Sequence, residues 1–208
     1  MDRQGFWDTI ARARAEVEET YEDTEDLAEA LIDVLAELEP ADIADFDDEF
    51  QRLFTESYRV DLWAAAYLIC GGASDDGFDY FRAWLIGQGR TSWDAAVADP
   101  DSLAGLLDPD ADADFDGESL MYAASTAYER VADASLPPGV SPNAVPDGPV
   151  GDAFDFDDDA ELQARLPRLF EVIEALEAEP DDEAEEDEDD EEDDDEAPQY
   201  GDAWTPRR

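Results

Sequence analysis

Ser74, Asp75, Asp76 and Asp79 place three carboxylates and a hydroxyl within six residues, and Arg82 follows three residues after Asp79. Carboxylates this close suit a hard cation such as Mg²⁺, which takes oxygen ligands. They also suit general acid and base work if burial splits their pKa values. The plainer use is structural. A serine at a helix start accepts from backbone N–H groups, and aspartates behind it complement the positive end of the helix dipole. Arg82, flanked by Phe81 and by Trp84, offers a planar fork to an anionic ligand. The competing use is an ion pair with Asp61 or with Asp79, which shares its helical face. Trp63, Tyr67, Tyr80, Trp84 and Trp93 can line a pocket for a planar ligand, although aromatic residues at helical spacing more commonly form core.

A second acidic motif, DADADFDG over 110–117, aligns Asp112, Asp114, Asp116 and Gly117 with the start of an EF-hand loop. The twelfth position, where that loop needs a bidentate Glu, holds Ala123, so an acidic solvated loop is the default reading. Cys70, the one cysteine, ends an apolar segment and is expected to be a buried, inert thiol with no Lys or His to activate it. The chain has no His, which excludes imidazole ligands and Ser-His or Cys-His catalysis. No cofactor is assigned.

The 208 residues carry 61 Asp plus Glu against 12 basic residues, all Arg, for a net charge of −49. Such a chain is not expected to grip a nucleic-acid backbone or an anionic membrane, because both need a basic face. No apolar run is long enough to span a membrane and the start MDRQGFWD has no signal-peptide core, so a cytoplasmic location is expected. The charge is uneven. Residues 181–196 hold fifteen acids in sixteen positions, a run that repels itself and predicts a disordered tail over 181–208. Residues 57–98 carry only five Asp and three Arg, with 8 of the 22 aromatics. Burying unpaired charge costs far more than burying rings gains, so this stretch is expected to be the core.

The elements that must hold these residues read as helices. Phe6, Trp7, Ile10, Ala13 or Arg14, and Val17 mark one over about 3–19; Thr24 caps a second with a stripe from Leu27 to Leu38; Pro40 opens a third reaching Tyr58. Residues 60–70, VDLWAAAYLIC, are apolar nearly all round and predict a central helix closed by Gly71 and Gly72. Ser74 starts the next, Thr91 a short one, and a helix over about 118–133 carries Leu120, Ala124 and Val131. Loops are expected over 100–118 and 136–157. The last helix, 158–178, contains Pro167, which predicts a kink or two short helices. The expectation is an all-α chain: one compact multi-helix domain over 1–180 with an acidic tail.

The segment DLWAAAYLICGGASDDGFDYFRAWLIGQGR (61–90) resembles the bacterial, largely actinobacterial, domain of unknown function 4240 family. FWDTIARAR (6–14) and ADPDSLAGL (98–106) are similar to it as well, so the resemblance covers roughly residues 1–130. It implies a compact helical bacterial domain and brings no activity with it. From the residues, the leading expectation is a non-enzymatic interaction or regulatory module for a basic protein or other cationic partner. The alternative is a small enzyme or ligand-binding domain. Its site would lie between helices 60–70 and 75–86, with Asp75, Asp76 and Arg82 as the polar groups.

Overall fold

The computed structural model describes residues 1–17, 24–107, 115–139 and 148–178. The expected tail over 181–208, and Asp112 and Asp114 of the acidic motif, lie outside the described residues. Apolar residues at three- and four-residue spacing build nine α-helices among the described residues. They are α1 (Arg3–Arg14), α2 (Thr24–Ala36), α3 (Pro40–Glu56), α4 (Val60–Ile69), α5 (Asp75–Gly87), α6 (Arg90–Ala98), α7 (Glu118–Ala132), α8 (Asp159–Arg165) and α9 (Pro167–Ala178). A 3₁₀ helix, Pro100–Gly105, follows α6. The fold is all-α. Its β-type pairing among the described residues is one isolated parallel bridge, Arg59 with Val150.

The helix ends follow local chemistry. Asp2 accepts from Gly5 N and starts α1; Ser74 Oγ accepts from Gly77 N at 3.1 Å and starts α5; Asp158 accepts from Ala160 N and Glu161 N and starts α8. Pro167, which cannot donate to the preceding turn, divides the last helical stretch into α8 and α9. Helix α1 stops at Arg14, earlier than the apolar spacing through Val17 suggests.

α5, not α4, is the most enclosed helix. Every residue from Phe81 to Gly87 is buried, Arg82 included. The helix touches α2, α3, α4, α6 and α7. The near-neutral middle is therefore core, as its composition requires. The core also takes in Phe6, Ile10, Leu31, Leu35, Ile43, Phe46 and Leu53 from the acidic helices on either side. α4 buries Leu62 and Ala64–Ala66 but leaves Trp63, Tyr67, Leu68 and Ile69 half-exposed. An all-round apolar sequence thus has one side turned to a later element, α9.

Two long-range contacts set the positions of the later helices. Gly117 approaches α5 so closely that a Cβ there would stand 2.1 Å from Trp84 N, and Gly117 N donates to Tyr80 O at 3.1 Å. No side chain fits at that position, which explains the glycine without a calcium loop. The stretch expected to be a loop from 100 onward contains the 3₁₀ helix, with Pro100, Asp101 and Leu103 buried. Asp101 Oδ1 accepts from Arg168 N and Leu169 N, both at 2.9 Å, and Oδ2 accepts from Arg168 Nε at 2.8 Å. A carboxylate 67 residues away in sequence thereby satisfies the first N–H groups of α9.

Candidate functional site

The residues singled out in the sequence go to three places. Trp84 and Trp93 are core, 0% and 3% exposed, so the five aromatics do not share one pocket. Trp84 meets Phe115 edge-on at 5.0 Å, and Trp63 stacks on Phe78 at 4.8 Å. Cys70 is exposed, contrary to the expected buried thiol, because it is the C-cap residue beyond the last turn of α4. Asp116 Oδ1 accepts from Glu118 N at 2.8 Å at the start of α7, and Ala123 is buried in the core.

Asp75, Asp79 and Arg82 line a cleft of about 300 Å³ together with Gln51, Phe54, Thr55 and Tyr58. The opposite wall is therefore α3 and the turn after it rather than α4; Asp76 is exposed outside this lining. Arg82 is only 4% exposed. Its guanidinium donates to Asp79 and to the Phe54 carbonyl. Its Cζ lies 3.8 Å from the Phe54 ring centroid and 4.9 Å from those of Tyr58 and Phe78. Burial pulls its pKa down, opposed by the bond to Asp79 and its charge. Asp61, the other partner weighed for Arg82, pairs instead with Arg59, whose Nε donates to Oδ1 at 2.8 Å. Three rings and a carboxylate thus enclose Arg82, and two of its three nitrogens are already committed.

Trp63 packs between Phe78 of the Arg82 enclosure and Phe156, 6.4 Å away, whereas Tyr67 faces a separate groove. Tyr67 lines a groove of about 320 Å³ between α4 and α9. Leu68, Phe156, Leu162, Phe170 and Ile173 form its apolar surface; Asp157, Asp159, Glu174 and Glu177 supply four carboxylates, and among the described residues no arginine lines it. Tyr67 Oη donates to Asp157, and this bond, reinforced by the carboxylate charge, holds the phenol pKa above its usual value. At the neighbouring edge Arg165 Cζ sits 4.2 Å from the Phe154 centroid, and Phe154 packs edge-on against Phe156 at 5.0 Å. The sequence analysis missed the α9 half of this groove. Its signals were present: Leu162, Phe170 and Ile173 at helical spacing beside acidic positions, and alternating Phe and Asp over 154–157.

Among the described residues, no group of three or more Asp, Glu or Cys is placed to hold a metal ion. No helix among them is long and apolar enough to cross a membrane. No curated protein and no solved structure matches the chain. The family described as "Protein of unknown function (DUF4240)" matches residues 1–130, through the helices that enclose α5, and the chain belongs to that family.

Proposed function

We propose that the protein is a binding module for a cationic partner, a basic segment of another protein, seated in the groove between α4 and α9. One observation carries this reading: an apolar groove rimmed by Asp157, Asp159, Glu174 and Glu177, with no arginine in its lining. Four like charges around a low-dielectric floor raise the local negative potential, which an arriving Lys or Arg relieves. The aliphatic stem of such a side chain packs on Leu68, Phe170 and Ile173 while its charged head meets the carboxylates. The neighbouring pair, Arg165 over Phe154, uses the same chemistry within the chain.

The test uses the full chain and a labelled peptide of alternating Leu and Arg, followed by fluorescence anisotropy and by hydrogen exchange. Protection is expected over 67–71 and 156–177. Replacing Asp157, Asp159, Glu174 and Glu177 by their amides should weaken binding about tenfold or more. A control variant with Gln at Glu25, Glu29, Glu118 and Glu129 loses the same charge from exposed positions elsewhere. If both variants lose affinity equally, or protection falls outside the groove, net charge alone attracts the peptide and the proposal is wrong.

A further inference from the structure

A third cleft, of about 370 Å³, lies between α1 and the junction of α5 with α6, and its chemistry is opposite in sign. Arg14 and Arg90 both line it, with Gln4, Trp7, Asp8 and the start of α6 at Gly89 and Thr91. Arg14 is half-buried, and its Nη1 donates to Gly87 O at 2.7 Å and to Gln88 Oε1 at 3.3 Å. Both acceptors are neutral. Every other arginine among the described residues lies within ion-pair distance of a carboxylate. Among the described residues, then, Arg14 alone of the arginines meets amide oxygens and no carboxylate, at the C-terminal end of α5.

Three further features point the same way. α6 is nine residues long, starts with no side-chain cap and has no acidic residue in its first turn. Its first turn therefore carries no acidic side chain of its own to complement the positive end of the dipole. Gly89, at φ 87°, provides the left-handed residue that turns the chain from α5 into α6 beside Arg14, whose Cδ would lie 3.6 Å from a Cβ at that position. Trp7, only 4% exposed, lines the cleft, and among the described residues its indole Nε1, like that of Trp93, has no hydrogen-bond partner. Buried indole N–H groups ordinarily find an acceptor. Arg90 is held in place at the rim, with Nη1 donating to Gln4 Oε1 at 2.8 Å and Nε to Asp94 Oδ2 at 3.2 Å. Gln4 Nε2 in turn donates to Asp8 Oδ1 at 2.8 Å; Asp8 is the one carboxylate of the lining, set against two arginines.

From this convergence of donors we infer that the cleft between α1 and α6 is an oxyanion site that takes the phosphate group of a small phosphorylated ligand. Arg14 supplies the charge, the first turn of α6 supplies backbone donors, and Arg90 closes the rim. The strongly acidic remainder of the chain opposes long-range attraction, but beyond a Debye length of about 8 Å that repulsion is screened at physiological salt. The site lies wholly within the residues matched by the family and is independent of the acidic groove.

Inorganic phosphate is the probe, titrated at pH 7 into the full chain with ionic strength held constant by sodium chloride, and read by amide and indole NMR shifts. Saturable shifts are expected at Gly89–Ser92 and at the Trp7 indole N–H. Arg14→Gln should weaken binding about tenfold or more and Arg90→Gln about threefold, as charged donors to a phosphate are removed. Arg12→Gln, at an exposed position paired with Glu37, removes the same charge and should leave the affinity unchanged. Arg90 is exposed, so its variant keeps the fold even if Arg14→Gln does not. Shifts that never saturate, shifts confined to other residues, or equal losses in the Arg12 and Arg90 variants would overturn the proposal.

Discussion

Arg82 and Arg14 both reach into the body from helices of the matched region, yet they end on different partners. Arg82 is enclosed by Phe54, Tyr58 and Phe78 and neutralised by Asp79. Among the described residues, Arg14 donates to the Gly87 carbonyl and the Gln88 side chain and pairs with no carboxylate. In a chain this acidic, a carboxylate is the partner nearest to hand for any arginine, and Arg82 has one. The cleft at Arg14 holds one carboxylate, Asp8, and that group accepts from Gln4 rather than from Arg14. Arg82 stands among aspartates and aromatics in sequence, and those same neighbours consume its donors. Arg14 looked like an ordinary member of the first helical face.

The largest effect that sharpens this contrast is expected at Arg82. Arg82→Ala empties the aromatic enclosure and leaves the Phe54 carbonyl with Ser57 Oγ as its remaining donor, and should cost about 3 kcal/mol in urea denaturation. Arg82→Met refills the space, and because Asp79 is 40% exposed its carboxylate regains water. About half the loss should return, and a Met variant as damaged as the Ala variant would mean the charge, not the packing, holds the site together. Arg14→Gln should cost only about 1 kcal/mol, the worth of its bond to Gly87 O. If that variant unfolds, Arg14 is a structural residue of the same kind as Arg82.

A smaller and sharper test converts one arginine type into the other. Gln88→Glu places a carboxylate where Arg14 now meets an amide, 3.3 Å away. The stability change measured in urea should stay within about 1 kcal/mol, as pairing offsets the burial of the new charge. Phosphate-induced NMR shifts at Gly89–Ser92 should disappear. Persistence of those shifts would show that an unpaired Arg14 is not what the site requires.

The smallest effect calibrates the acidic background in which both arginines sit. Burial pushes the Asp47 pKa above its ordinary value, with Gln51 opposing and Asp48 adding to the rise. A carboxyl raised in the folded state binds its proton more readily there, so its contribution to stability grows as pH falls through that raised value. At pH 7 its charge opposes folding. Asp47→Asn should therefore raise the melting temperature by about 1–2 °C at pH 7, and the gain should shrink as pH falls through the raised folded value and vanish about one unit below the ordinary Asp value, where the folded and unfolded forms are both largely protonated. A gain that persists at that acid limit would assign the effect to something other than charge.

Residue type and spacing alone determined that the chain is all-α, where most helices lie, that Ser74 caps α5, and that Pro167 divides the final helical stretch. These are short-range matters: a cap bonds two or three residues ahead, a proline blocks its own turn, and a helical stripe repeats within one segment. The burial of the middle stretch was also legible, because removing its rings from water outweighs the few charges it carries. Only the tertiary structure decided which acids meet which arginines and which residues share a cleft. Arg82 could pair with Asp61 or Asp79 until Arg59 occupied Asp61; Asp101 reached the start of α9 across 67 residues; Arg14 and Arg90 came together across the turn at Gly89. Such pairings depend on how whole helices are placed against one another, and with 61 acids available the sequence alone offered every arginine more partners than it could use.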